Sequence, residues 1–305
     1  MENKKKILIV GCGNMGTAHL TSFLKAKSSY HITVVDKVFT INKLKKKFSD
    51  SFIEFQNKLP KKKSFDLVII ATGSKERFLV LNTIIKNNSI KKILLEKFIF
   101  PKKIDYIKFD KILNSQKIKC YVNCWGTTLS NLLNFPKMIN KKTTINVTIC
   151  KGNYLTNLIH ILNLIFDGIG LKKINNYKLT IGKVFKSKAK GYDEINGKLS
   201  FNTKDNYIHI NILSKKIKDI FKIEIKNRKR SVIYLNNKLK LIKKHNNKLK
   251  RFDFPLSSVF TEKIYQHIDN KKYSFKFISY KYAKDLSLLI LNLFLKKSIK
   301  NISIR

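Results

Sequence analysis

The sequence predicts two domains of different architecture: an α/β domain with a doubly wound parallel sheet, then an α+β domain with an open, largely antiparallel sheet. The chain has 305 residues, enough for two domains of about 150 residues each. Its first third alternates continuous apolar runs with amphipathic stretches, which is typical of a parallel sheet covered by helices on both faces. Later in the chain apolar and polar residues alternate instead, as in an antiparallel sheet with one solvated face. We therefore predict domains over residues 1–122 and 123–305.

The elements of the first domain follow from two kinds of pattern. Short runs of consecutive apolar residues predict buried strands, and apolar residues three or four positions apart predict helices. The predicted strands are 7–10, 32–35, 67–71, 93–95 and 118–122. The predicted helices between them are 15–25, 41–48, 75–86 and 104–113.

The second domain combines helical segments with alternating ones. The predicted helices are 129–139, 154–166, 257–268 and 281–295. The predicted strands are 144–149, 207–213, 221–225, 231–235 and 239–242, with a polar turn at Asn236 and Asn237 between the last two. The longest late apolar stretch, 286–295, is too short for a bilayer span, and no export signal precedes the first strand. We therefore expect a cytoplasmic protein without a transmembrane segment.

The charge of the chain is extreme. It has 64 Lys and Arg against 19 Asp and Glu, a formal net charge of +45, which raises nucleic acid or an anionic membrane as a partner. Only five of the basic residues are arginine, however, and the lysines are spread along the whole chain. A surface selected to bind phosphates would contain more arginine, because the guanidinium group forms bidentate hydrogen bonds with phosphate. We interpret the excess as a compositional bias on a solvated surface and predict no specific nucleic-acid partner.

Cysteine and histidine give little support to a metal site. The four cysteines, Cys12, Cys120, Cys124 and Cys150, form no C-x-x-C pair and no regular disulfide framework. No two of the six histidines stand at metal-ligand spacing, and so we predict no metal.

A glycine motif follows the first predicted strand directly. Gly11, Gly13 and Gly16 form the pattern G-x-G-x-x-G at the start of a helix. In this context the first glycine allows a tight turn, the second lets a pyrophosphate approach the backbone, and the third lets the helix pack on the strand. Asn14 and Met15 begin the helix, whose N-terminal N–H groups attract an anion. The motif predicts a dinucleotide site; the alternative is a domain of the same fold that binds no nucleotide.

An acidic residue stands where the ribose of the dinucleotide would lie. Asp36 follows the second predicted strand, twenty residues after Gly16. A carboxylate there accepts hydrogen bonds from the ribose hydroxyls of NAD and repels the additional phosphate of NADP. We therefore expect NAD as the cofactor and NADP as the less favoured one, although the neighbouring Lys37 softens the discrimination.

Two more strand ends carry candidate residues. Thr72 follows the strand 67–71, and Glu96 and Lys97 follow the strand 93–95. Ligands of parallel sheets bind at the carboxyl ends of the strands, so these residues point to the same crevice as the glycines. A lysine there can donate a hydrogen bond to a substrate oxygen or transfer a proton to it.

One histidine is unusual. His160 lies within the apolar helix 154–166, with Asn157 one turn before it and Asn163 one turn after it. Two amides on the same helical face predict a polar pocket around the imidazole. The other five histidines, His19 among them, have no comparable setting in the sequence.

Taken together, these segments resemble the Gfo/Idh/MocA family of nicotinamide-dependent oxidoreductases. The resemblance rests on KILIVGCGNMGTAHL, DLVIIATGSKERF and ILLEKFIF in the first domain, and on YVNCWG and KGNYLTNLIHILNLI in the second. The second-domain segments resemble a subgroup associated with surface polysaccharide and modified-sugar biosynthesis. The resemblance implies an N-terminal Rossmann domain, a C-terminal substrate domain and, in many members, a homo-oligomer formed through the C-terminal sheet.

The resemblance also implies roles for individual residues. Thr72 and Asn123 match cofactor-contacting positions, and Glu96, Lys97 and His160 match catalytic ones. The chain departs from the family pattern at several positions. Phe98 replaces a proline, Arg77 stands where many members have histidine, Thr156 and Asn163 stand where many have carboxylates, and Cys124, Trp125 and Gly126 replace arginines that often follow Asn123.

These observations favour an oxidoreductase that transfers hydride between NAD(P) and a secondary alcohol or ketone of a sugar, sugar nucleotide or cyclitol. The candidate catalytic residues are Lys97, His160, Glu96 and Asn157. Two alternatives remain open at this point: a non-catalytic nucleotide-binding protein of the same fold, and a basic protein that binds nucleic acid or membrane surfaces.

Overall fold

The computed structural model describes residues 4–150, 154–170, 175–186, 193–213, 219–227, 230–236, 240–245, 248–253, 257–270 and 275–295. Contacts divide the chain into two compact units. One contains Met1–Cys124 and Leu256–Leu291, and the other contains Trp125–Pro255 and Asn292–Arg305.

Fifteen strands and eight α-helices lie within the described ranges. The strands are β1 (Lys5–Val10), β2 (Tyr30–Val35), β3 (Ile53–Gln56), β4 (Ser64–Ile70), β5 (Ser89–Glu96), β6 (Lys119–Asn123), β7 (Thr144–Cys150), β8 (Asn175–Lys186), β9 (Asp193–Asn202), β10 (Tyr207–Leu213), β11 (Asp219–Lys226), β12 (Arg230–Asn236), β13 (Lys240–His245), β14 (Lys248–Asp253) and β15 (Ile278–Ser279). The helices are α1 (Asn14–Phe23), α2 (Val38–Lys47), α3 (Ser74–Asn87), α4 (Lys103–Gln116), α5 (Trp125–Leu133), α6 (Tyr154–Ile169), α7 (Thr261–Gln266) and α8 (Tyr280–Leu295).

The first unit is built on a seven-stranded sheet in the order β15-β6-β5-β4-β1-β2-β3. All of its strands pair in parallel except the last in the chain, β15, which is antiparallel to β6. The central strands are apolar on both faces because helices cover both. Buried residues include Ile7, Ile9 and Leu67 on one face, and Leu8 and Val68 on the other. The predicted doubly wound parallel sheet is therefore confirmed.

A segment from late in the chain completes the first unit. Residues 256–291 belong to this unit, although the sequence pattern places them in the second domain. Ile278 pairs with Val122 across β15 and β6. Glu262 at the start of α7 accepts a 2.9 Å hydrogen bond from the buried hydroxyl of Tyr30. The packing of a late segment on the first unit leaves no local signal in the sequence, because it depends on contacts between residues far apart in the chain.

The second unit has an eight-stranded sheet in the order β14-β13-β12-β11-β7-β10-β9-β8. Only β7 and β10 pair in parallel, and every other pair is antiparallel, which confirms the predicted sheet type. The alternation seen in the sequence separates the two faces: the apolar residues Ile208, Ile210, Phe221, Ile223 and Ile225 are buried. Phe166 of α6 stacks on Phe201 of β9 at 5.9 Å between ring centroids, so α6 covers this buried face.

Several elements differ from the sequence-based expectation. The predicted helix 129–139 is two pieces, α5 and a 3₁₀ turn at Phe135–Met138, because Asn134 adopts a left-handed conformation between them. Strands β3, β8, β9, β14 and β15 are absent from the sequence-based expectation, although Ile195, Leu199 and Phe201 of β9 do alternate with polar residues. The predicted turn residue Asn237 lies outside the described residues. None of the helices in the described ranges is long and apolar enough to cross a bilayer.

Candidate functional site

The carboxyl edge of the parallel sheet gathers most of the predicted site residues of the first unit. The loop that begins at Gly11 follows β1, Asp36 follows β2, Thr72 follows β4, Lys97 follows β5, and Asn123 ends β6. Because β1, β2, β4, β5 and β6 run parallel, these five positions lie along one edge. This is the edge at which parallel sheets bind their ligands.

The three glycines of the motif have different geometric requirements. Gly11 has a φ of +84°, and a Cβ there would lie 2.8 Å from the backbone nitrogen of Thr72. A Cβ on Gly16 would lie 2.0 Å from the carbonyl oxygen of Gly11. A Cβ on Gly13, in contrast, would have no atom within 4 Å. Gly11 and Gly16 are therefore required by packing, whereas the space at Gly13 is open and able to admit a ligand.

The N-terminus of α1 has no capping side chain of its own. Gly13 is the N-cap residue, no side chain makes a capping hydrogen bond, and the first turn, which includes Asn14 and Met15, has no acidic residue. The N–H groups of a first helical turn have no partner within the helix. The end of α1 is thus suited to an anionic group such as a pyrophosphate.

The carboxylate of Asp36 is oriented by two backbone N–H groups. Cys12 donates to Oδ2 at 2.5 Å and Lys37 donates to Oδ1 at 2.6 Å. Asp36 thereby joins the end of β2 to the glycine loop, and each carboxylate oxygen keeps capacity to accept another hydrogen bond. Burial raises the pKa of the neighbouring Cys12 thiol to about 11, with a smaller contribution from Asp36. Cys12 is therefore a neutral packing residue at ordinary pH.

The hydroxyl oxygen of Thr72 and Nε2 of Gln56, the last residue of β3, are among the buried polar side-chain atoms without a hydrogen-bond partner in the described residues. Buried polar atoms normally have partners. Together with the open space at Gly13 and the uncapped start of α1, the Thr72 hydroxyl fits a site that holds a dinucleotide. Gln56 has no counterpart in the sequence-based interpretation.

Glu96 is the centre of a buried hydrogen-bond network. Its Oε1 accepts from Nδ2 of Asn123 at 2.6 Å and lies 2.8 Å from Nε2 of His19. Burial alone would raise the pKa of Glu96, but the hydrogen bond and charge of His19, with a contribution from Asn123, outweigh it and lower the pKa. The charge of Lys97 acts in the same direction. Glu96 is thus a buried carboxylate held in its charged form.

His19 is wholly buried, and the interpretation that it has no notable setting is wrong. Its Nδ1 lies 2.6 Å from the hydroxyl of Thr261, which itself donates to the carbonyl of Ser258. With Glu96 at Nε2, both ring nitrogens face groups that accept hydrogen bonds. That interpretation overlooked the position of His19 in the sequence. His19 is three residues after Gly16 and so lies one turn further along the same helix.

Lys97 is half-buried in the turn that follows β5. The next residue, Phe98, is fully buried. The guanidinium group of Arg77, itself 2% exposed, donates hydrogen bonds to backbone carbonyls on both sides of Lys97. Like His19, Arg77 has a structural setting that its place in the sequence did not predict.

His160 lies in the second unit and is buried on α6. Its ring stacks on Trp125 at 4.6 Å between centroids, and Trp125 stacks in turn on Phe221 at 5.7 Å. The backbone N–H of Trp125 donates to Nδ1 of His160 at 3.4 Å. Because Nδ1 accepts this hydrogen bond, the ring proton of the neutral imidazole belongs on Nε2.

The two amides that flank His160 are not equivalent. Asn157 is half-buried. Asn163 is completely buried and makes two hydrogen bonds with Thr127: its Oδ1 accepts from the backbone N–H at 2.8 Å and its Nδ2 donates to the hydroxyl at 3.0 Å. The expectation that both amides line one polar pocket is therefore wrong for Asn163, which joins α5 to α6. The side chain of Thr156 lies outside the described residues.

Among the described residues, no three His, Cys, Asp or Glu side chains come together in a way that could hold a metal ion.

Comparison with known proteins gives one family and a shared fold. Residues 5–124 match the model of the GFO_IDH_MocA oxidoreductase family, which has an NAD-binding Rossmann fold. No curated protein matches the sequence. Solved structures match over nearly the whole chain at low identity, and such likeness shows the fold alone.

Three of these structures illustrate the range. The dehydrogenase MviM from Clostridium difficile is 11% identical with a TM-score of 0.68, covering 97% of this chain and 100% of that one. A protein from Desulfitobacterium hafniense, named as an NADPH-dependent oxidoreductase, is 12% identical with a TM-score of 0.69, covering 96% of this chain and 94% of that one. The transcriptional regulator Gal80p from Kluyveromyces lactis is 12% identical with a TM-score of 0.74 (97% and 90%). Residues 5–124 thus match the Gfo/Idh/MocA oxidoreductase family in its NAD-binding Rossmann fold.

Proposed function

We propose that the protein is an oxidoreductase that uses NAD(H) to interconvert a secondary alcohol and a ketone on a sugar-type substrate. The observation that carries this proposal is the arrangement at one sheet edge. A cradle suited to a dinucleotide, with the open space at Gly13 and the Thr72 hydroxyl, lies along the same edge as Lys97.

Asp36 supports NAD(H) rather than NADP(H). Its carboxylate is held in place by the N–H groups of Cys12 and Lys37. A 2′-phosphate brought to the same place would meet a fixed negative charge in a partly desolvated site. Ribose hydroxyls, in contrast, can donate to the remaining lone pairs of that carboxylate.

Lys97 is the residue we assign to the reacting oxygen. The bound nicotinamide would supply or accept hydride, which is chemistry that no side chain provides. The ammonium group of Lys97 can hydrogen-bond the substrate oxygen and exchange a proton with it as the carbonyl becomes an alcohol or the reverse. The buried carboxylate of Glu96 immediately precedes Lys97 in the chain, and the two opposite charges attract each other.

His160 is assigned a different role from proton transfer. The stacking of Trp125 holds the imidazole ring, and the hydrogen bond from Trp125 to Nδ1 places its proton on Nε2. An imidazole held in this way donates a hydrogen bond to a hydroxyl or carbonyl oxygen, but it has no second proton to release. We assign His160 and Asn157 to orienting the substrate and Lys97 to the proton.

The class of substrate rests on the resemblance of the second-domain segments to members that act on modified sugars. A polyhydroxylated substrate also matches the side chains assigned to it, which are hydrogen-bonding amide, imidazole and ammonium groups. We propose a sugar, sugar nucleotide or cyclitol.

The first experiment is a binding measurement. NADH fluorescence and calorimetric titration with NADH and NADPH should show one site per chain, with tighter binding of NADH. A chain that binds neither cofactor would exclude the proposed reaction.

The second experiment is a substrate screen. Purified protein with NAD or NADH is incubated with a panel of sugars, sugar nucleotides and cyclitols, and the absorbance of NADH is followed. Lys97→Ala serves as the negative control, and Lys102→Ala, at an exposed neighbouring lysine, serves as the matched positive control. Turnover that survives Lys97→Ala at the wild-type rate would contradict the assignment of Lys97.

A non-catalytic nucleotide-binding role is the second candidate. Phe98 and Asn163 depart from the family pattern, and the fold is shared with a transcriptional regulator. For this candidate the titration would show cofactor binding while the complete panel shows no turnover.

A further inference from the structure

We propose that Arg77 is a positioning residue that joins the loop carrying Thr72 to the turn carrying Lys97. This inference rests on the proposed function, because the residue that it positions is the one assigned to the reacting oxygen. Arg77 contacts neither of these side chains in the hydrogen bonds described; it acts on the backbone around them.

The geometry of Arg77 connects two strand ends. One terminal nitrogen, Nη1, donates to the carbonyls of Glu96 and Phe98, each at 2.5 Å, and to that of Ile99 at 3.2 Å. The other, Nη2, donates to the carbonyl of Thr72 at 2.5 Å. The carbonyls immediately before and after Lys97 are therefore bound by a single nitrogen atom.

The chemistry requires a guanidinium group in particular. Its planar fork directs N–H groups to several acceptors at once, whereas a lysine ammonium acts as a compact point charge. Four backbone carbonyls surround a side chain that is 2% exposed. These carbonyl dipoles offset the cost of burying the charge.

The location of Arg77 explains how it can reach both strand ends. It lies in the first turn of α3, which starts at Ser74 directly after the Thr72 loop. The turn that it binds follows β5, the neighbour of β4 in the sheet. Arg77 is one of only five arginines in a chain with 59 lysines, so its presence is not explained by the compositional bias toward lysine.

The test measures the reactivity of Lys97 without a substrate. Trace acetylation followed by peptide mass spectrometry gives the labelling rate of each lysine, with and without saturating NADH. In the wild type we expect NADH to protect Lys97 and to leave Lys102 unchanged. In Arg77→Lys, at NADH concentrations adjusted for equal occupancy, we expect the protection of Lys97 to fall about tenfold, which corresponds to ~1.4 kcal/mol of positioning.

Matched variants separate positioning from stability. Leu81→Ala removes a fully buried side chain one turn further along α3 and should lower the melting temperature while leaving the protection of Lys97 as in the wild type. Arg77→Gln, which keeps two N–H donors without the charge, replaces Arg77→Lys where that variant fails to fold. It should also reduce the protection.

The outcomes for the two proposals are distinct. Unchanged labelling of Lys97 in the Arg77 variants, with and without NADH, would overturn the positioning role. A wild-type Lys97 that NADH does not protect would overturn the proposed function instead. In that case, faster labelling of Lys97 in cofactor-free Arg77→Lys than in cofactor-free wild type would still support the positioning role, and equal labelling would overturn it.

Discussion

Nε2 of His19 lies 2.8 Å from Oε1 of Glu96, and both side chains are buried. His19 belongs to the helix that begins at the glycine loop, and Glu96 immediately precedes Lys97. The contact therefore connects the element assigned to the cofactor with the element assigned to the reacting oxygen. The Thr261 hydroxyl, on the segment that returns to the first unit, holds the other side of the imidazole.

This pair should make stability depend on pH in acid. The pKa of Glu96 is lowered in the folded protein from its ordinary value of 4.5. Its contribution to the free energy of unfolding is therefore complete above pH 4.5 and is lost as pH falls through the lowered pKa. We expect the difference in unfolding free energy between wild type and Glu96→Gln to decrease as pH falls below about 5. Chemical denaturation at a series of pH values measures this difference; one that grows in acid would contradict it.

Replacement of Lys97 should affect turnover more than cofactor binding. Once a substrate is known, Lys97→Ala should lower kcat by about 10²-fold or more, the scale of general acid–base groups. The affinity for NADH should stay within a small factor of the wild type, because the groups that we assign to the dinucleotide are the glycine loop and Asp36. Steady-state kinetics and NADH titration test the two statements separately. An equal loss in kcat for the Lys102→Ala control would show that the effect is not specific.

Removal of the charge at Asp36 should relax cofactor selectivity. In Asp36→Asn, one oxygen still accepts a backbone hydrogen bond while the repulsion of a 2′-phosphate disappears. We expect the ratio of the Kd of NADPH to that of NADH to decrease by about tenfold, or ~1.4 kcal/mol. Parallel fluorescence titrations with both cofactors give this ratio. Tighter binding of NADPH than NADH by the wild type would show that Lys37 or another cation governs the pocket.

The three glycines should respond differently to alanine. Gly13→Ala should fold with an unfolding free energy within about 0.5 kcal/mol of the wild type, because nothing lies near the added methyl group. It should nevertheless weaken NADH binding, since the methyl group occupies the space assigned to the pyrophosphate. Gly16→Ala should fail to fold stably, because its Cβ would lie 2.0 Å from a carbonyl oxygen. Thermal melts and NADH titrations distinguish these cases; unchanged NADH affinity in Gly13→Ala would place the pyrophosphate elsewhere.

His160 should carry its proton on Nε2. Nitrogen NMR of protein labelled at its six histidines, with His160→Gln for assignment, reports the tautomer directly. We expect a protonated Nε2 and an unprotonated Nδ1 in the neutral ring, because Nδ1 accepts the hydrogen bond from Trp125. A ring with its proton on Nδ1 would contradict the assignment, because Nε2 could then accept a proton.

The sequence by itself determined the elements whose signals are local. Each of these signals lies within a few neighbouring positions: the glycine motif, the acidic residue after β2 and the continuous apolar strands. Together they predicted the parallel sheet and the edge of it at which the candidate site residues lie. The alternation at Phe221, Ile223 and Ile225 likewise predicted the antiparallel sheet. Periodicity is a property of the single element, so it can be read without knowing what the element packs against.

Only the tertiary structure determined which polar residues form hydrogen bonds with one another. His19 contacts Glu96 across 77 positions and Thr261 across 242 positions, and Arg77 binds carbonyls about twenty positions away. Asn163, on the same helical face as His160, joins α5 to α6 because Thr127 is brought against it. A hydrogen bond depends on distance and direction in three dimensions, and neither is encoded in the spacing of two distant residues along the chain.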